Sequence, residues 1–477
     1  MSSNRMDWSK LLTETRVGVE KGTDTDLRSE HVRDYDRIVF SNAFHRLGRK
    51  TQVHPLAEND HVHNRLTHSI EVSTVGRSIA YLVGKDIETN NPKDIPLTSD
   101  GNKDDEFILK LTSIAQAACV AHDIGNSPFG HAGEHAIREW FSTKFSDQNH
   151  FLNKHIEEDK KNDFKIFEGN AQGFRICSHY DISHKEHGLQ LTYATLGAMI
   201  KYPWVSNISK AGIKEKFNIY KDEEEIFYKL VDELGLIKKS VDEIEYARHP
   251  IAFIVEAADD ICYKIIDIED AIELGAITYN NLEYILKESN LDRVLFNEIS
   301  DYDKLSNKTK MSRIRSKAIG YLIEAVKREF INNYDLIMGG ECDIPLLDLA
   351  EKTNEGIANL LEKLKILTNE KVFKIPRKIE IEVGSYSTME ILLDAFIPAV
   401  EDYIKNKGKI SFKNKRILDL MEDDFDKSNV LQQIEDKEID DMDEIYYKSF
   451  MRAMDYISGM TDNYATYIAK QISGDAN

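Results

Sequence analysis

The chain has 477 residues, enough at roughly 150 residues per domain for one large domain or two to three smaller ones, and too many for a disulfide-stapled miniature. Its 62 Lys plus Arg against 83 Asp plus Glu give a net charge of −21, which argues against general coating of nucleic acid or anionic membrane while leaving room for a local basic pocket. The four cysteines are far apart with no CxxC pair, the opening MSSNRMDWSKLLTETR lacks the apolar core of a signal peptide, and no stretch approaches the roughly 18 consecutive apolar residues of a membrane span, so a soluble protein of the reduced cytoplasm is expected.

Helical spacing dominates, with only 9 Pro and 24 Gly, and the expected class is mainly α. The spacing predicts helices over 64–84 (NRLTHSIEVSTVGRSIAYLVG) and 106–124 (EFILKLTSIAQAACVAHDI), joined by a polar surface loop. A turn at Gly125-Asn126-Ser127-Pro128 then leads into a helix beginning near His131, with Ser127 as N-cap and Pro128 at the first helical position. Residues 144–165 are charged and irregular and read as an insertion. An apolar segment at 189–202 and a charged helical stretch at 210–247 precede a strongly apolar helix at 250–274 (PIAFIVEAADDICYKIIDIEDAIEL). Beyond residue 280 the chain is acidic and helical, except at FKIPRKIEIEVGSY (373–386), where alternation predicts one short β-hairpin.

Nine of the fifteen histidines fall between residues 31 and 135, and two keep unusual company: His68 in HNRLTHS, and His122 directly before Asp123 at the end of an apolar helix. An aspartate ending AQAACVAHD is drawn out of water, and a buried carboxylate needs a cation, a metal or several hydrogen bonds. The helix at 250–274 supplies a complement, because Asp259, Tyr263 and Asp267 stand at i, i+4 and i+8, about 40° apart per step, and form one polar stripe. Two imidazoles and two carboxylates with room left for water suit a hard or borderline divalent cation such as Mn²⁺, Mg²⁺ or Fe²⁺, and the ligand set does not choose among them. Co²⁺, Ni²⁺ and Zn²⁺ are weaker candidates. His131 and Glu134, three apart on one helix face, form a pair in which a carboxylate can orient an imidazole.

The H…HD…D order of His68, His122-Asp123 and Asp259 resembles the metal signature of the HD superfamily. The surrounding motifs AFHRLGRKTQV, HNRLTHS, AHDIGNSPFGHAGE, LTYATLGAMIKYP and EAADDICYKIIDIEDA resemble the bacterial deoxyguanosinetriphosphate triphosphohydrolases. That resemblance implies an HD-domain helical fold with a catalytic core over 1–280, and an α-rich region over 281–477 that contributes the base-binding side of the site. It implies metal ligation by His68, His122, Asp123 and Asp259, with His131 and Glu134 as the catalytic pair. It places Arg65 and the Lys201-Tyr202 pair on phosphates, Gln52 and Asp267 on the deoxyribose 3′-hydroxyl, and Tyr263 where a ribose 2′-hydroxyl would need space. Phe373 resembles the aromatic that stacks on the base, Val53 the apolar cover of its other face, and Glu382 and Arg416 the readers of the guanine edge.

The expected reaction is hydrolysis of dGTP, or of dNTPs more generally, to deoxynucleoside and tripolyphosphate, by a homo-oligomer for which a hexamer is favoured. Single-stranded DNA is a candidate partner because some relatives contact it; a membrane is not. The basic run Arg28, Arg33, Arg37, Arg46, Arg49 and Lys50 either meets the triphosphate or forms structural ion pairs with neighbours such as Asp34 and Asp36. Two other readings are another HD phosphohydrolase acting on nucleoside monophosphates, cyclic nucleotides or alarmones, and a catalytically weak nucleotide sensor.

Overall fold

The computed structural model describes residues 5–19, 28–52, 62–179, 188–289, 291, 304–372, 374–421, 424–435 and 442–474. Helices carry the architecture, and among the described residues β-pairing is limited to isolated bridges such as Arg16 with Thr192 and Thr51 with Asn64. The helices used below are α1 (Glu30–Val39), α2 (Arg65–Asn90), α3 (Phe107–Ala121), α4 (His131–Ser146), α5 (Gly169–Ser178) and α6 (Tyr193–Met199). They continue as α7 (Pro250–Glu273), α8 (Asn307–Asn332), α9 (Pro376–Lys405), α10 (Met442–Gly459) and α11 (Asp462–Ser473). No helix among the described residues is long and apolar enough to cross a membrane.

The centre is α3, packed along α2 and against α1, α6 and α7. Its run Ile114-Ala115, then Ala117 through Ala121, is fully buried, as expected of a helix covered on all sides. Small residues set how closely the neighbours approach. At Gly76 of α2, a Cβ would stand 2.3 Å from the Cys119 Sγ of α3, so only glycine permits this crossing. The ends are locally encoded: Asn64 caps α2 by accepting from the Leu66 and Thr67 amides in a reciprocal box with Thr67, and Pro250 opens α7 while the His249 ring accepts from the Ile251 amide.

Three local expectations are corrected. The hairpin at 373–386 is instead the start of α9, which begins at Pro376; Phe373 itself lies outside the described residues. The alternation of Ile379, Ile381 and Val383 is misleading, because Ile379 and Val383 are exposed and the face turned inward is Ile381, Ser385, Met389 and Leu392, at helical spacing. Ser127 does not cap α4, whose first residue is His131 and whose N-cap is Gly130. Phe129 and Gly130 take left-handed φ of 62° and 57°, so the chain cannot be helical from Pro128, and the Ser127 hydroxyl closes the turn by donating to the Gly130 carbonyl at 3.1 Å. The stretch 210–247 holds one substantial helix, Glu224–Leu234, rather than a continuous one.

Helices α10 and α11 return to the N-terminal half, packing on α9, which itself lies on α4. Arg175 of α5 anchors this return. It is buried, and it donates to Asp455 of α10 from Nε at 2.9 Å and from Nη2 at 3.0 Å, to Asp222 at 2.8 Å, and to Glu223. Burial alone would raise the Asp222 carboxyl; the charges of Arg175 and His179 override it and hold it at about 2. A depressed carboxylate contributes stability above its ordinary value of 3.8 and loses it as pH falls through about 2, so part of the acid unfolding should fall in that window. Arg175→Met removes the cation shared by three clustered acids and should destabilise the fold by about 3–5 kcal/mol in denaturant titrations. A loss under about 1 kcal/mol, the scale of an exposed pair, would contradict this account of the network.

Candidate active site

A cleft of about 550 Å³ opens where α2, α3, α4 and α7 meet. His68 from the first turn of α2, His122 at the end of α3 and Asp259 from the middle of α7 converge at its floor, with candidate ligand atoms all within 4.8 Å of one another. The Asp259 Oδ1 lies 3.0 Å from His68 Nε2 and 3.4 Å from His122 Nε2. His122 donates from Nδ1 to the Cys119 carbonyl at 2.7 Å, which turns Nε2 toward the carboxylates, where it has no hydrogen-bond partner of normal geometry. Asp123 adjoins the group rather than completing it. Its Oδ1 is 3.5 Å from His122 Nε2 and accepts from Nδ2 of the Asn126 side chain, while its Oδ2 accepts from Arg65 Nη1 at 2.8 Å.

The electrostatics fit a divalent cation. Burial would push His122 toward neutrality, yet Asp123 and Asp259 raise it to about 9. Burial likewise opposes ionisation of Asp259, and the two imidazoles overcome it and hold that carboxyl well below the ordinary range. Carboxylates that recruit a proton onto an imidazole at this spacing offer the nitrogen and oxygen donors a divalent ion takes in that proton's place. His68, His122 and Asp259, with Asp123 beside them, are the residues that could hold one.

Beside this group, His131 opens α4 with an exposed ring, and its Nδ1 lies 3.1 Å from Oε2 of buried Glu134. The other Glu134 oxygen accepts from the Gly169 amide, the first of α5, at 3.0 Å. Burial works against the Glu134 charge, and the His131 bond with the nearby Lys216 and Arg138 charges keeps the carboxyl below its usual range. An ionised carboxylate only accepts, so His131 donates from Nδ1 and presents Nε2 to the cleft. Gly130 has a second constraint besides its φ, since a Cβ there would meet Arg65 Nη2 at 2.8 Å.

Gln52, Arg65, Lys201, Tyr202, Tyr263 and Glu382 all line the cleft. Lys201 Nζ stands 3.4 Å from a Glu256 carboxylate that also accepts from Arg248 at 2.6 Å. Asp267 lies beneath Tyr263 on α7; burial and the neighbouring Asp270 and Asp259 raise its carboxyl well above the usual range. Gln52 Oε1 and Asp267 Oδ2 are both buried without a hydrogen-bond partner. Glu382 accepts from Lys378 one turn earlier on α9 at 2.7 Å. Arg416 is not brought to the cleft of this chain: it is exposed, pairs with Asp419 at 3.1 Å and lies over the Phe412 ring. Val53 and Phe373 lie outside the described residues.

Of the basic run ahead of the histidine motifs, none joins Arg65 in lining the cleft. Arg28 pairs with Asp36 at 2.7 Å and Arg33 with Glu30 at 2.8 Å. Lys50 is buried behind the site, where desolvation and the charge of Arg46 lower it to about 7, and it donates to the Asn126 and Ser458 carbonyls. Lys216, paired with Glu168, and Lys378 are cleft residues that the sequence did not single out. Lys378 carried a readable signal in its i, i+4 spacing to Glu382; Lys216, in an irregular charged stretch, carried none.

No family model matches the chain. Whole-length relatives do. A deoxyguanosinetriphosphate triphosphohydrolase-like protein of Pseudomonas aeruginosa is 38% identical over 98% of this chain and 99% of its own, and one of Synechocystis is 34% identical over 98% and 99%. The deoxyguanosinetriphosphate triphosphohydrolase of Salmonella arizonae is 30% identical over 97% of this chain and 96% of its own. On identity sustained across nearly the entire length of both sequences, the chain belongs to the deoxyguanosinetriphosphate triphosphohydrolase family.

Proposed function

We propose that this chain hydrolyses dGTP, in preference to other nucleoside triphosphates, to deoxyguanosine and tripolyphosphate with a divalent metal. The observation that carries the reading is one cleft lined by His122, Asp259 and the His131–Glu134 pair, with His68 buried directly against the first two. The charge inventory supports the metal: six carboxylates line the cleft against four Lys and Arg side chains, an acidic surface that repels a triphosphate until a cation is added. When bound, such an ion supplies charge neutralisation and Lewis acidity at the phosphate under attack.

The chain's own residues do the rest. Arg65 and Lys201 hold phosphate oxygens, with Lys201 drawn from Glu256 toward the stronger charge. His131 Nε2, fixed by Glu134, serves as general acid and base at the phosphoester. Gln52 Oε1 and Asp267 Oδ2, orphaned in the absence of substrate, accept or share the 3′-hydroxyl proton. The Tyr263 ring excludes a 2′-hydroxyl. Glu382, steadied by Lys378, faces the guanine N1–H and N2–H₂ donors.

The deciding experiment is chromatographic identification of products from the four dNTPs and GTP with Mn²⁺ or Mg²⁺. Deoxyguanosine with intact tripolyphosphate is expected, and release of phosphate or pyrophosphate would overturn the reading. Asp259→Ala and His122→Ala should each lose bound metal as well as turnover while remaining folded; full occupancy by metal analysis would refute the ligand assignment. His131→Ala and Glu134→Ala should keep metal and dGTP binding and lose about 10² to 10⁴-fold in kcat, with the double variant little worse than His131→Ala, whereas additive losses would mean the two do not act together. Tyr263→Ala should raise GTP hydrolysis relative to dGTP, and an unchanged ratio of kcat/KM values would place the ring elsewhere.

A further inference from the structure

The turn that delivers His131 to the cleft is intrinsically unfavourable. Phe129, a bulky residue, holds φ of 62°, and Gly130 follows at 57°. A side chain in the left-handed region persists only where its surroundings impose it. The local restraints are few: the Gly130 amide donates to the Ser127 carbonyl at 3.2 Å and the Ser127 hydroxyl returns to Gly130. The Phe129 amide itself points away from the turn and donates to Asp462 Oδ1 of α11 at 2.9 Å, across 333 residues of sequence. The second oxygen of that carboxylate accepts from the Thr51 amide at 3.0 Å and from the Thr51 hydroxyl. One buried side chain thus ties the catalytic turn to the segment carrying Gln52. Lys50 adds a parallel strap, linking the Asn126 carbonyl, three residues before Phe129, to the Ser458 carbonyl at the end of α10.

We propose that Asp462 is a positioning residue for His131: by clamping the Phe129 amide it fixes the left-handed turn from which α4 starts and so sets where the imidazole meets the substrate. The proposal rests on the reading of His131 as the acid–base group. Asp462 is not among the residues lining the cleft, and it acts through backbone geometry. A displacement on the scale of 1 Å at a reacting group costs about 10²-fold in rate, so a single clamp of this kind is visible in kinetics.

The test uses the full chain with Asp462→Ala and Asp462→Asn. The alanine variant should retain metal while kcat falls about 10²-fold; because the same carboxylate holds Thr51 beside Gln52, the clamp is read from kcat and not from KM. The asparagine variant keeps one acceptor for the Phe129 amide and should recover most of that loss. In a His131→Ala background, Asp462→Ala should cost little more, because the group it positions is gone. Hydrogen–deuterium exchange provides a readout independent of turnover: amides of residues 126–134 should lose protection in Asp462→Ala and keep it in Asp462→Asn. If the unaltered chain fails to cleave dGTP, the functional reading falls, and loss of protection still supports the clamp while unchanged protection overturns it. If the chain is active, an undiminished kcat in folded Asp462→Ala, or equal losses in the presence and absence of His131, overturns the positioning role. Should the alanine variant fail to fold, Asp462→Ser decides instead: its shorter side chain cannot reach the Phe129 amide, so lost protection at 126–134 with kcat down about 10²-fold supports the clamp, and retention of both overturns it.

Discussion

A carboxylate at the edge of an apolar core must be matched by positive charge or hydrogen bonds, and Asp259, half-buried on the wall of the cleft, is where this fold meets that demand. It sits on a helix whose Ile, Ala, Phe and Val are interleaved with acidic residues, beneath two imidazoles from separate helices. Left unpaired, such a charge costs several kcal/mol, more than most single contacts return. The approach of α2 to α3 permitted by Gly76, the end of α3 at His122 and the register of α7 all serve to bring these three side chains together. The same demand explains why the arrangement suits a cation: carboxylates that share protons with imidazoles are ready to exchange them for metal.

The excess of carboxylates in the cleft links two ligands energetically. On the proposed function, an incoming cation would lower the repulsion felt by a polyphosphate, and by reciprocity a bound polyphosphate would tighten the hold on the cation. The ion pair of Lys201 with Glu256, braced by Arg248, belongs to the same balance. A lysine left unpaired among apolar walls would lose its charge or fold onto the nearest carboxylate; placing Glu256 at 3.4 Å keeps Lys201 charged and within reach of the cleft.

What could be read in advance followed from periodicity. The i, i+4, i+8 stripe of Asp259, Tyr263 and Asp267, and the i, i+3 pair of His131 and Glu134, are properties of a helix and survive into three dimensions. Where one pattern suits two structures the sequence misled: Ile and Glu alternate over 379–383, but helix α9 runs through and buries a different set. Ser127-Pro128 looks like a helix start, and only the positive φ of Phe129 and Gly130, invisible in residue types at Phe129, postpones it. The family resemblance supplied what periodicity could not, naming Gln52, Arg65 and Lys201, which do line the cleft, along with Arg416, which does not. Gly169 and Asp462 were beyond reach by either route, and Lys50 was legible only as one of a basic run, because all three act through hydrogen bonds to groups far away in sequence.

The bond between the Phe129 amide and Asp462 also bears on the order in which a working protein comes into being. The metal-ligand candidates all lie between residues 68 and 259, so a growing polypeptide carries all of them long before α11 leaves the ribosome. At roughly 5–20 residues per second, the 203 residues separating Asp259 from Asp462 take on the order of 10–40 s to synthesise. During that interval the nascent chain holds a potential metal centre without the contact that fastens its catalytic turn. Long-range closure of this kind is slow in folding as well. On the proposed function, ion capture and full catalytic competence would thus be separated in time.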